Sequence, residues 1–123
     1  MASTLGNVAG PLGQFLISHT SSTIATNGEV HVTGTAPTMY NCTITNNNSS
    51  AVYVKINELT TVTPSSHIPN FKLYAPASST VSYVFAGGIP VLNGLSFWVT
   101  STSASGVTQG VPSDTVTVKI VAQ

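Results

Sequence analysis

Apolar residues in this chain recur at every second position, in short bursts, and no window repeats them at helical spacing. Such alternation marks extended strands, because successive side chains point to opposite faces of a pleated backbone. Val30 and Val32 alternate with Glu29 and His31, and Tyr40, Cys42 and Ile44 alternate with Asn41, Thr43 and Thr45. Val52, Val54 and Ile56 oppose Tyr53, Lys55 and Asn57. Phe71, Leu73 and Ala75 follow Pro69, and Val81, Tyr83 and Phe85 alternate with Ser82 and Val84. Leu95, Phe97 and Val99 oppose Ser96, Trp98 and Thr100. Val116, Val118 and Ile120 oppose Thr115, Thr117 and Lys119. Each group predicts one strand, and Phe15, Leu16 and Ile17 predict another.

The intervals hold turn formers. Asn27-Gly28 is a turn signal because both residues tolerate positive φ. Residues 46–50 are Asn and Ser throughout and suit a tight polar hairpin. Gly87-Gly88 and Asn93-Gly94 bracket a short Ile89-Pro90-Val91-Leu92 piece, and residues 101–112 form a longer loop. Short strands separated by such turns predict an all-β fold, an antiparallel β-sandwich of jelly-roll type, over residues 27–123. The order of the strands is not readable from the pattern.

Residues 1–26 differ from the rest. Gly6, Gly10, Pro11 and Gly13 break up the start, and a single apolar cluster follows at Phe15, Leu16 and Ile17. Two readings stand: an edge strand of the same sandwich, or an extended N-terminal arm that adds a strand to a neighbouring subunit. No internal repeat of solenoid type is present.

Composition changes the picture most through charge. Only 5% of the 123 residues are charged, against roughly 25% in an ordinary soluble domain. The six are Glu29, Glu58, Asp114, Lys55, Lys72 and Lys119, and net charge is zero. Ser, Thr and Asn take their place. Charge keeps free monomers apart, and buried charge is expensive to desolvate. A chain without it suits a surface covered by partners. The absence of a basic patch argues against nucleic-acid binding. No apolar run is long enough to cross a membrane as a helix, and the start of the chain does not read as a secretory signal.

Candidate chemistry is sparse. Catalysis needs titratable groups gathered in one place, and the three acids are well separated in sequence. Glu29 and Glu58 would have to converge to serve glycoside hydrolysis. His19, His31 and His67 lack the close spacing of a zinc site and read as surface or interface histidines. Cys42 cannot form an intrachain disulfide and reads as a small core residue. No Gly-x-Ser-x-Gly elbow or phosphate loop occurs. Catalytic, metal and cofactor sites are therefore expected to be absent. Asn41-Cys42-Thr43, Asn47-Asn48-Ser49 and Asn48-Ser49-Ser50 match the glycosylation pattern as by-products of composition.

The aromatic residues carry the remaining functional signal. Trp98 lies opposite Leu95, Phe97 and Val99, as Tyr53 lies opposite Val52 and Val54. Alternation does not say which face is inside. Trp98 is thus a core aromatic, an intersubunit contact or a platform for stacking sugars. The candidate interface set is Phe15, Leu16, Ile17, Tyr53 and Trp98.

One stretch adds a resemblance. Asn-Asn-Asn-Ser-Ser-Ala-Val-Tyr-Val-Lys-Ile-Asn from Asn46 leads to Pro-Asn-Phe-Lys-Leu-Tyr-Ala-Pro-Ala from Pro69. Gly-Gly-Ile-Pro-Val-Leu-Asn-Gly-Leu-Ser-Phe-Trp-Val-Thr follows from Gly87. This resembles a β-domain pattern of small virion structural proteins of tailed bacteriophages, across residues 46–123. The acidic residues common in that pattern are scarce here. The resemblance implies a non-enzymatic virion protein, foremost a capsid decoration or cement protein. Implied partners are copies of itself, a trimer above all, and the major capsid protein or another virion protein. Tail, neck, baseplate or fibre components are the alternative, and a carbohydrate-binding module a more distant one.

Overall fold

The computed structural model of the protein describes residues 4–7, 15–21 and 29–31 as backbone strands, and residues 38–58, 68–91, 94–103 and 110–122 with their side chains. In chain order the strands are β1 (Thr4–Asn7), β2 (Phe15–Ser21), β3 (Glu29–His31), β4 (Thr38–Asn46) and β5 (Val52–Asn57), then β6 (Phe71–Ala75), β7 (Ser79–Pro90), β8 (Leu95–Thr100) and β9 (Val116–Ala122). Every strand predicted from alternation is present. β1 was not predicted, since Leu5 is its one large apolar residue.

The strands form a five-stranded sheet, β1-β2-β9-β4-β7, facing a four-stranded sheet, β3-β8-β5-β6. The pairing is nested. β2 pairs with β9, β3 with β8, β4 with β7 and β5 with β6, all antiparallel. The chain is one long hairpin, turned between β5 and β6, whose arms wrap so that successive strands of each arm alternate between the sheets. The β4–β9 and β5–β8 ladders close the wrap. This is the jelly roll, which buries the inner face of each sheet against the other.

The inner rows match the alternation. Val52, Val54 and Ile56, then Leu95, Phe97 and Val99, then Val116, Val118 and Ile120 are all fully buried in one core. Cys42 and Ile44 join them from β4. Val81, Tyr83 and Phe85 face the same core but are only half-buried. β7 ends its sheet, with β4 on one side and no strand among the described residues on the other.

Three local expectations are corrected. The alternation puts Tyr40 on the face of Cys42, but Met39 is the buried residue and Tyr40 is half-buried. The β4–β7 register shifts there, from Met39↔Ile89 to Asn41↔Val84, so Tyr40 faces Phe85, Ala86, Gly87 and Gly88. A β-bulge resets which side chains point inward. The same bulge overturns the reading of Gly87-Gly88 as a turn, because both glycines lie inside β7. Both have positive φ, 79° and 81°, and a Cβ on Gly88 would collide with Thr38 and Tyr40. Glycine is needed by the bulge, not by a chain reversal.

The third correction concerns residues 46–50. They do not close a hairpin, since β4 and β5 lie in different sheets. They form a corner between the sheets. Asn46 and Asn48, both 1% exposed, build it. Asn46 Oδ1 accepts from the Asn48 backbone N–H and side-chain amide, both at 2.9 Å. Asn46 Nδ2 donates to Ser50 O at 2.9 Å and Pro76 O at 3.0 Å. Asn48 Oδ1 accepts from Asp114 N at 2.6 Å, and Asn48 O accepts from Ser78 N at 2.9 Å. Two buried side chains thereby tie together three connections, β4–β5, β6–β7 and the approach to β9. Asn48 is spent in this clamp and does not match the free amide that a glycosylation acceptor needs.

Of the two readings of residues 1–26, the described segments run as strands of the chain's own sheet. β2 is flanked by β1 and β9, with Phe15↔Ala122, Leu16↔Val121 and Ile17↔Ile120. Its backbone pairs within the chain on both flanks from Phe15 to Ser18 and on the β9 flank as far as Ser21.

Candidate functional site

No cluster of three or more His, Cys, Asp or Glu is found among the described residues. His19 lies on β2 and His31 on β3, in opposite sheets, and His67 lies outside the described residues. Glu29 shares a row with Phe97 and Ile56, so two strand spacings, about 10 Å, separate its backbone from β5. Glu58 lies beyond the end of that strand. Cys42 is buried, and desolvation pushes its thiol up to about 12, which keeps it protonated and unreactive. The features that remain are surfaces, and the two outer faces differ.

On the four-stranded sheet, β5 and β8 place Tyr53, Lys55 and Asn57, and Ser96, Trp98 and Thr100, on the face opposite Val54, Ile56, Phe97 and Val99. β6 adds Lys72 and Tyr74, opposite Lys55 and Tyr53. Tyr53 and Tyr74 meet with ring centroids 5.6 Å apart at 58°. Trp98 stands opposite Lys55 on the other flank. Yet Trp98, Lys55, Ser96 and Thr100 are all 0% exposed in the single chain. The protein itself covers the centre of this face. Burial, with the neighbouring Lys72 charge second, lowers the Lys55 ammonium to about 8. Lys72 is exposed and donates its Nζ to Ser103 O at 2.8 Å.

This placement corrects the reading of Trp98 as an available interface or sugar platform. It lies on the strand face opposite Phe97 and Val99, yet it is fully buried within the hydrophobic core, as the core-aromatic reading had it, and offers no ring face. Tyr53 is half-buried against Tyr74, and Tyr74, 48% exposed, is the accessible ring of the pair. Phe15, Leu16 and Ile17 sit together on β2, apart from both in the opposite sheet.

On the five-stranded sheet the outward rows are Asn41, Thr43 and Thr45 of β4, Thr80, Ser82 and Val84 of β7, and Thr117, Lys119 and Val121 of β9. Hydroxyls pair across the strands, Thr43 with Ser82 at 2.9 Å and Thr45 with Thr80 at 3.1 Å. These bonds leave the face polar without charge, apart from Lys119. Val84 is 76% exposed. Beside it, the bulge opens a shallow pocket of about 500 Å3 lined by Tyr40, Asn41, Val84, Phe85, Ala86, Gly87 and Val121. An exposed apolar anchor beside an apolar pocket, rimmed by hydroxyls, has the make-up of an interface core. Residue selection by aromaticity missed it. The signal was the placement of Val84 on the outward side of its strand with Ser82.

No family model matches the chain, and no curated protein matches it. Among solved structures, the coat protein of Tobacco streak virus is similar with a TM-score of 0.37 and 10% identity, over 86% of this chain and 84% of that one. A likeness this loose speaks for neither origin nor function.

Proposed function

We propose that this protein is a structural, non-enzymatic part of a virus particle, and in finer terms a capsid decoration protein of a tailed bacteriophage that binds between capsomers as a symmetric oligomer. The observation that carries the reading is the nearly uncharged outer surface on a jelly-roll frame. Hydroxyl and amide side chains lose far less on being covered than ionised ones, so such a surface favours burial against a partner. The jelly roll occurs in viral capsid and lectin domains alike, and supports the class without selecting within it. The bacteriophage resemblance across residues 46–123 supports the finer form.

The mechanism is thermodynamic. A protein that binds the assembled shell and not its separated subunits stabilises the shell by mass action. No charge pattern is needed for this, only complementary area of ordinary interface size. A second reading is a shell subunit in its own right, which the same uncharged surface would serve by burial against copies of itself.

Sedimentation and electron microscopy of the purified chain separate the two. A small symmetric oligomer that binds preformed expanded heads and raises their melting temperature supports decoration. Closed particles formed by the chain alone support the shell subunit. A protein that does neither, and binds a glycan array through Tyr74, removes the virion reading in favour of a carbohydrate-binding module.

A further inference from the structure

We propose that two copies of this chain join edge to edge through β7, antiparallel about a two-fold axis at Ser82, with the edge of one five-stranded sheet that has no partner strand among the described residues continuing into the other. The inference rests on the reading of the protein as an assembling building block and names the surface that assembles.

A free sheet edge is a template for another strand, and soluble proteins guard it with Lys, inward charges or very short strands. β7 has none of these guards over its straight part. It is twelve residues long, and from Ser79 to Pro90 it carries no charged residue. Its bulge and Pro90 lie at the far end, leaving residues 79–84 regular in their register with β4. The inward residues Val81, Tyr83 and Phe85 are only half-buried. They are apolar surface that the chain's own fold leaves partly uncovered.

A copy of the same strand is the occupant that matches. Pairing about Ser82 sets Ser82 against Ser82, Thr80 against Val84 and Val81 against Tyr83. Outward β-branched residues then meet each other, and inward apolar residues meet each other, which is the arrangement that stabilises cross-strand pairs. The shared inner row becomes continuous across the two sandwiches. An acidic or basic partner finds no counter-charge on this edge, whereas a neutral copy needs none. The two-fold closes the contact and leaves no further edge on that side.

Cross-linking tests the axis directly. Facing Cβ atoms in such a pair lie about 4.5–5.5 Å apart, close enough for a disulfide after small shifts. Ser82→Cys should oxidise to a covalent dimer about ten-fold faster than Thr117→Cys, an outward control on the interior strand β9. Buried Cys42 stays silent in both. The Ser82→Glu/Val84→Glu variant places carboxylates at the edge without touching the core. Light scattering should show its dimer weakened at least about ten-fold, with an unchanged circular dichroism spectrum. Equal cross-linking rates, an unweakened double-Glu dimer, or a wild-type protein monomeric at about 1 mM would overturn the inference. Particle binding by a wild-type monomer would leave the virion reading standing, so the two fail separately.

Discussion

Trp98 and Val84 both stand on the strand face opposite the rows that meet between the sheets, yet Trp98 is fully buried in the hydrophobic core and Val84 is 76% exposed. The difference lies between the two outer faces of one sandwich. The face of the four-stranded sheet is closed over Trp98 and Lys55 by the chain itself. The face of the five-stranded sheet is open along β7 at Thr80, Ser82 and Val84 and, among the described residues, uncharged except for Lys119. A strand pattern identifies the sides of a sheet, but whether a side is covered depends on what packs on it. The closed face contributes stability, and the open one leaves Val84 and its hydroxyl neighbours uncovered.

The largest effect that can break this comparison is Trp98→Ala. If the face is closed, removing a fully buried indole costs about 3–5 kcal/mol, as in a core. Urea denaturation measures it, and a loss below about 1 kcal/mol would mean that the face is open after all. Asn48→Ala should follow, at about 3 kcal/mol. It deletes the hydrogen bonds of the side chain, so the part-buried Asp114 N–H loses its acceptor and Asn46 Oδ1 keeps only the backbone N–H of residue 48. Asn48→Asp should recover little of that loss, because a carboxylate cannot donate to Asp114 O as the amide does.

Lys55→Met sharpens the comparison through pH. The folded-state ammonium titrates near 8 and the unfolded one near 10.5, so the folded state binds the proton less well. Below pH 8 both states are protonated and the penalty is present in full. Between about 8 and 10.5 the unfolded chain still holds a proton that the folded protein has released, so stability rises with pH. Above 10.5 the gain is complete. Lys55→Met should raise stability at pH 7 by about 1 kcal/mol and flatten that rise, read from melting curves across the window. A rise unchanged in the variant would assign it to another group. Smallest of all, Val84→Ser should change the stability of the dilute monomer by less than about 0.5 kcal/mol, although Val84 is as apolar as any core valine.

Much of the fold was legible because its strands are built from local alternation. Val52, Val54 and Ile56, or Val116, Val118 and Ile120, declare their shared face within a few residues. The misreadings fall where one local chemistry serves two geometries. Residues 46–50 hold the same Asn and Ser whether the chain folds back within a sheet or crosses to the other one. The crossing follows from β4 being claimed by β7 and β9, strands far along the chain. Gly87-Gly88 signals positive φ in a turn and in a bulge alike. Asn48 looks like a surface polar residue until Ser78 and Asp114, distant in sequence, are brought against it.

The candidate site was less legible still. Size and aromaticity pointed to Trp98, which tertiary packing encloses, while the exposed anchor Val84 is unremarkable in composition. By itself the sequence determined the class of fold, the faces of its strands and the scarcity of charge, because each is written in neighbouring residues or in simple counts. Only the tertiary structure decided which strands end a sheet, which outer face is covered and where buried amides find partners. Those outcomes depend on contacts between segments far apart in the chain, and local patterns carry no record of which distant surface will meet them.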